Sequence, residues 1–246
     1  MTGGVRARLS PRRRVAEAWA GTPELTAMLA ALPELPEGGH TLGESPRSVV
    51  RRLPLGEHSV VVKRYRTPGR LQALARGLRR SKAERCWRAA GILEALGIPA
   101  MRRIAWFELR WGPWRQDPVF VGTWVPGEDL RAHLLDPEID DASRTARAGA
   151  VVALVDRLHQ TGYVHGDLKW RNIRFGTDGV PTLVDLDDVH RPPPGPRRTY
   201  MLRRDWRILL HNWRDDAEMA ELFRTQIERY LGPAAFSRVL ARPFRR

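Results

Sequence analysis

The chain predicts an α+β fold in two lobes, a small β-rich lobe with one long helix and a mainly helical lobe after it. Three observations carry that reading. Short β-type runs, parted by turn residues, occupy 39–63 and 104–125. One sustained 3.6-residue pattern lies between those runs, through positions 83, 86, 87, 90 and 93. Beyond "PGEDL" (126–130) helical periodicity dominates, which places a cleft at the junction of two layers. A chain of 246 residues is long enough to bury a core on each side of such a cleft. The expected division is a basic arm and helical extension over 1–38, a first lobe over 39–122, and a hinge with a second lobe over 123–246.

The elements follow in order. "RARLSPRRR" reads as a mobile basic arm, and "TPELTAMLAAL" as a short helix with Thr22 as N-cap and Pro23 at the first helical position. Its apolar face is Leu25, Met28, Leu29 and Leu32. "SVVRRL" and "HSVVVKRY", parted by Pro54, Gly56 and Glu57, are strands of an antiparallel meander. "RLQALARGL" has helical spacing through Leu71, Leu74, Ala75 and Leu78. A second helix opens on Ser81 and Glu84, spaced as a capping box, and stops at Gly97 and Pro99. "IAWFELRWGPWRQDPVFVGTWV" is a hairpin turning near Gly112 and Pro113, followed by a buried strand over 119–125. Trp106, Trp111 and Trp114 lie on or beside that hairpin, where cross-strand packing accounts for them. Residues 142–160 form a helix with Val151, Val152, Val155 and Leu158 on one face, ending at Gly162.

The net charge of +14 suits nucleic acid, anionic lipid or phosphorylated substrates, and its sign cannot choose among them. No nucleic-acid recognition motif is visible. The longest apolar stretch, Ala148 to Val155, is far short of the roughly 18 residues a spanning helix needs. The N-terminus shows no apolar secretory segment, and the lone Cys86 forms no internal disulfide, so a reducing cytoplasm is expected. Of the 42 basic residues only three are lysine, Lys63, Lys82 and Lys169. A chain that so prefers arginine keeps lysine where a compact ammonium is needed and a planar guanidinium does not fit.

The densest chemistry is "HGDLKWRNI" (165–173), followed by "RFGTDGVPTLVDLDD". Asp178-Gly179 is the signal for a two-residue hairpin turn, and that turn pairs residues whose numbers sum to 357, so Asn172 faces Asp185. An amide and a carboxylate side by side make a hard oxygen site suited to Mg²⁺. Asp167 and Lys169 on the same loop add a base and a cation, which together with the metal pair are the parts of a phosphoryl-transfer site. His165 reads as a packed core histidine, and Asp140 and Asp141 as helix-capping charges.

These residues resemble the catalytic loop of the protein-kinase-like superfamily, with His-Gly-Asp for His-Arg-Asp and Asp185-Leu186-Asp187 for Asp-Phe-Gly. "VVVKRY" resembles its third strand with the phosphate-gripping Lys63, and Glu84 lies where that lysine's ion-pair partner is expected. A narrower likeness runs through "GTWVPGEDL", "LHQTGYVHGDLKWRNI", "VDLDD" and "RRDWRILL", which over residues 40–232 resemble the Kdo/WaaP family of lipopolysaccharide kinases.

The resemblance implies a bilobal kinase-like fold, ATP and Mg²⁺, and a sugar hydroxyl of the lipopolysaccharide inner core as acceptor, heptose or Kdo. It implies an enzyme of the cytoplasm working at the inner membrane face, where the basic surface meets anionic lipid. It assigns Asp167 to orient and deprotonate the acceptor hydroxyl, Lys169 to neutralise the γ-phosphate, and Asn172 and Asp185 to the metal. Lys63, positioned by Glu84, grips the α and β phosphates; Gly43 in "LGESPRSVV" allows close backbone approach, and the hinge backbone over 122–128 holds adenine. Asp205 holds the catalytic loop's backbone. The chain departs from protein kinases in lacking G-x-G-x-x-G before Lys63 and an Ala-Pro-Glu element after Asp185, which favours a glycolipid over a peptide acceptor. The alternatives are a minimal protein kinase and an inactive kinase fold that serves as a binding module.

Overall fold

The structure, a computed structural model, describes residues 10–32, 39–66, 80–111 and 114–241. Its chain contacts define two units, 1–91 with 102–124, and 92–101 with 125–246. The helix expected from "RLQALARGL" lies outside the described residues, as do Gly112 and Pro113 at the hairpin tip.

The first unit is built on an antiparallel sheet. Its strands are β1 (Ser10–Val15), β2 (His40–Ser45), β3 (Ser48–Leu55), β4 (His58–Tyr65), β5 (Arg103–Trp111), β6 (Trp114–Arg115) and β7 (Val119–Thr123). They run in the order β1-β5-β7-β4-β3-β2, with β6 paired to β5. Pro46-Arg47 and Gly56-Glu57 are two-residue turns, since Ser45 pairs Ser48 and Leu55 pairs His58. Gly56 supplies the positive φ, 58°, that such a turn needs at its first position.

The expectation for the N-terminus is corrected in two respects. Over Ser10–Val15 the basic segment is an edge strand in full register with β5, from Ser10 opposite Arg110 to Val15 opposite Ala105. Consecutive arginines on a sheet edge suit it, because charge there discourages pairing with another chain. Helix α1 (Pro23–Ala31) is likewise no appendage. Its Leu25, Met28 and Leu29, with Leu32 just beyond, are buried against Leu53, Val60, Val62, Ile104, Val119 and Val121. Each such side chain contributes about 1.5–3 kcal/mol by leaving water.

Strand alternation then sorts the other face. Val60 and Val62 face α1, so Lys63 belongs to the opposite face, in one row with Val50 on β3 and Phe120 on β7. Helix α2 (Lys82–Ala95) buries Ala83, Cys86, Trp87, Ala90 and Leu93, the positions its period predicts. Trp106 is buried, which agrees with the packing reading.

The second unit is mainly helical: α3 (Leu130–Leu134), α4 (Asp141–Gln160), α5 (Pro196–His211), α6 (Ala217–Leu231) and α7 (Pro233–Leu240). Asp140 caps α4, accepting from the Ser143 N–H at 2.7 Å, and Asp129 caps α3 through the N–H groups of Arg131 and Ala132. Val151, Val152, Val155 and Leu158 of α4 are buried, as are Phe223 and Ile227 of α6, and Trp213 stacks on Phe223. A small sheet, β10 (Pro181–Leu183), β9 (Ile173–Phe175) and β8 (Glu128–Asp129), completes the unit. Residues 99–101 pair with Leu183, through Leu183 N–H to Pro99 and Met101 N–H to Leu183, which ties 92–101 to this unit. Among the described residues, no helix is long and apolar enough to cross a membrane.

Candidate active site

The loop from Val164 to Asn172 is where the second unit concentrates its polar chemistry. His165 is fully buried, and its Nε2 lies 3.1 Å from the carbonyl of Val184. A ring nitrogen facing a carbonyl carries the proton, so this histidine is a structural donor, as its core reading required. Gly166 follows with φ of +83°, and a Cβ there would stand 2.9 Å from the carbonyl oxygen of Asp188. Both facts make any side chain there strained.

Asp205, on α5 and fully buried, accepts from the His165 N–H at 2.7 Å and the Gly166 N–H at 3.0 Å. His159 of α4 adds Nε2 at 3.3 Å to the same carboxylate. A buried carboxylate is tolerated only when its lone pairs are used, and these are. The role expected of Asp205 on the loop backbone is therefore visible as geometry.

Asp167, Lys169 and Asn172 converge. The ammonium of Lys169 lies 2.9 Å and 3.0 Å from the two carboxylate oxygens of Asp167. Asn172, 4% exposed, donates from Nδ2 to the Asp167 carbonyl at 2.8 Å and stands 3.3 Å from its Oδ2. The loop closes on itself through Lys169 N–H to Asp167 and Asn172 N–H to Lys169, both 2.8 Å. With half its side chain exposed, Lys169 contributes little to stability through this pair. Its placement is explained by charge beside the carboxylate.

The hairpin that follows corrects the predicted register. Ile173 pairs Leu183, Arg174 pairs Thr182 and Phe175 pairs Pro181, so pair numbers sum to 356 rather than 357. The loop has three residues, Thr177-Asp178-Gly179, closed by Gly176 and Val180, with Gly179 at φ +71° as the left-handed residue of that loop type. Asp178 accepts from the Val180 N–H at 3.0 Å, which favours the longer turn. Asn172 consequently faces Val184, whose N–H it receives at 2.9 Å, and Asp185 lies one residue beyond. There Asp185 adopts φ 57° and ψ 62°, the one left-handed residue other than glycine among the described residues. Such a conformation costs of order 1–3 kcal/mol and persists only where the surrounding structure holds it.

Lys63, Glu84 and Gly43 belong to the first unit. Gly43 pairs Val50 and Val50 pairs Lys63, so two strand spacings, about 9–10 Å, separate the Gly43 and Lys63 backbones. A bulge between Thr41 and Gly43 shifts the register there, and a Cβ at Gly43 would meet nothing within 4 Å. Lys63 Nζ lies 5.1 Å from the centre of the Tyr65 ring. Glu84 is buried, its N–H donating to the Ser81 hydroxyl at 3.1 Å as the first half of a capping box. Its carboxylate accepts from Arg88 Nε at 3.1 Å and lies 3.5 Å from Arg80 Nε.

Two residues that hold the loop carry no sequence signal of their own. Arg204 donates to the Gly166 carbonyl at 2.5 Å, and Asn212 to the Leu168 carbonyl at 3.1 Å. Arg204 sits beside a motif aspartate, and Asn212 lies eight residues further along with nothing to mark it.

A β-rich unit and a helical unit with a buried aspartate fastening an Asp-x-Lys-x-x-Asn loop are the features of an α+β kinase-like phosphotransferase. The sequence profile of the lipopolysaccharide kinase (Kdo/WaaP) family matches residues 45–224, and the chain belongs to that family. It is thus a kinase of lipopolysaccharide in the general sense its family defines. No curated protein matches the chain.

Proposed function

We propose that the chain transfers the γ-phosphoryl group of ATP to a hydroxyl of a heptose or Kdo sugar in the lipopolysaccharide inner core. The observation that carries this reading is the convergence of Asp167, Lys169 and Asn172 on one tied-down loop. Asp167 orients the acceptor hydroxyl and takes its proton as the new oxygen–phosphorus bond forms. The bond from the γ-phosphorus to the β-γ bridging oxygen breaks, and ADP leaves with that electron pair. Lys169, beside the Asp167 carboxylate, neutralises charge on the transferred group. Lys63, oriented by Glu84, grips the α and β phosphates; Gly43 lets the protein backbone approach the phosphates closely, and the 122–128 segment holds adenine.

The donor set suits Mg²⁺. With Nδ2 of Asn172 engaged by Asp167, its Oδ1 would be free to face the cation, and Asp185 would supply a carboxylate. Among the described residues no group of three His, Cys, Asp or Glu is placed to hold a metal, so a cation here would draw the rest of its shell from phosphate oxygens and water. Mg²⁺ supplies charge neutralisation across the phosphates when bound. The strongly basic composition supports contact with anionic lipid at the inner membrane face of the cytoplasm.

Purified chain incubated with ATP and dephosphorylated lipopolysaccharide should yield core oligosaccharide heavier by one phosphate, seen by mass spectrometry. Phosphate appearing in added protein instead would support a protein kinase. ADP release that is equal in wild type and Asp185→Ala would leave only a binding module.

A further inference from the structure

The loop that carries Asp167 is held plane by plane. A peptide unit is rigid, so fixing the planes on both sides of a residue fixes where its side chain emerges. The 164–165 plane is held at the His165 N–H and the 165–166 plane at the Gly166 N–H, both by Asp205. Arg204 holds the 166–167 plane at the Gly166 carbonyl. Asn172 holds the 167–168 plane at the Asp167 carbonyl, and Asn212 holds the 168–169 plane at the Leu168 carbonyl. Five consecutive planes are pinned, four of them by side chains of α5 and its C-cap residue Asn212.

We infer that Arg204 and Asn212 are positioning residues for phosphoryl transfer, acting through the backbone on either side of Asp167. Neither side chain reaches the Asp167 carboxylate, which Lys169 and Asn172 occupy. Their chemistry fits holding: Arg204 is a cationic donor on a neutral carbonyl, and Asn212 is an amide donor whose backbone carbonyl lies 3.4 Å from Arg131 Nη1. Gly166 explains the need. With no Cβ and φ of +83°, it lets the backbone enter a conformation other residues avoid, but adds freedom immediately before Asp167. Arg204 removes that freedom on the Asp167 side of Gly166, as Asp205 does on the other, and Asn212 holds the backbone that leaves Asp167 at its next peptide plane, after Leu168. A misplacement of about 1 Å in a reacting group costs on the order of 10²-fold in rate.

This inference rests on the proposed role of Asp167, and the experiment separates the two. Asn212→Ala and Arg204→Met should each lower kcat by about 10- to 100-fold with KM for ATP little changed, while Asn212→Gln, which keeps the donor, should recover much of the loss. In an Asp167→Ala background, either change should alter the residual rate by less than about 2-fold, because residues acting as one unit are not additive. A full additive loss in that background, or a loss confined to KM, would overturn the inference. Hydrogen exchange at the Lys169 and Asn172 amides gives a readout free of activity: it should accelerate in Asn212→Ala at unchanged melting temperature, and unchanged exchange would also overturn it. If Asp167→Ala turns over as fast as wild type, the phosphotransfer role of Asp167 falls, and exchange alone decides whether the clamp exists.

Discussion

The loop at 164–172 and strand β2 at His40–Ser45 both stand where the chain is expected to meet phosphate, and they are built in opposite ways. The loop has its peptide groups pinned by a buried aspartate, an arginine and two asparagines. Strand β2 is exposed at every residue, is broken by a bulge at Thr41/Gly43, and pairs on one side only, with β3. The difference teaches where rigidity is needed. A group that takes a proton and aligns an attacking oxygen must be held to a fraction of an ångström, and buried hydrogen bonds to the backbone do that. A strand that covers phosphates with its backbone needs room to approach, and weakly packed edges open at small free-energy cost.

Asp167→Ala offers the largest test of the rigid half, with an expected loss of 10² to 10⁴ in turnover while ATP binding, followed by calorimetry, persists. A smaller effect comes from Gly166→Ala. The new Cβ meets the Asp188 carbonyl at a backbone angle alanine avoids, so denaturant unfolding should show a loss of about 1–3 kcal/mol along with the fall in rate. The matching change in the open half is Gly43→Ala. With nothing near the new Cβ, stability should move by less than about 0.5 kcal/mol, and any kinetic effect should fall on KM for ATP. Equal destabilisation at the two glycines would erase the contrast.

The smallest expected effect concerns pH and His133 of α3, which stacks on Phe175 of β9 at 4.1 Å. Burial first, and then the charge of Arg147, hold its pKa below the ordinary 6.5, against the opposing pull of Glu128 and Asp136. The unfolded chain therefore binds this proton more readily than the folded one. The contribution to stability is complete above pH 6.5 and is lost as pH falls from there through the lowered folded value. Unfolding of wild type and His133→Phe across pH 5 to 8 should show this slope in wild type and a shallower one in the variant.

Much of the site was legible in the chain because its residues are close in sequence. Asp167, Lys169 and Asn172 lie within six positions, and a loop that short brings them together almost whatever surrounds it. The helices at 23–31, 82–95 and 141–160 were visible through their apolar period and caps. The hairpin register was misread, because Asp-Gly fits both a two-residue turn and the last two places of a three-residue loop, and the Asp178 side chain favours the latter. The arginines of Ser10–Val15 looked like a mobile arm since strand pairing by backbone leaves no mark on charged side chains.

By itself, the order of residues determined the two-part α+β plan, the family, and the identity of the loop's chemical groups, all properties of local pattern and short spacing. Only the tertiary structure decided that α1 and β1 belong to the first unit's core and sheet, that Asp185 sits left-handed beyond the Asn172–Val184 pair, and that Arg204 and Asn212 reach the loop. Those outcomes depend on contacts between residues far apart in the chain, or on a single residue of register. Long-range packing and one-residue shifts are set by what else fills the space, which no local window contains.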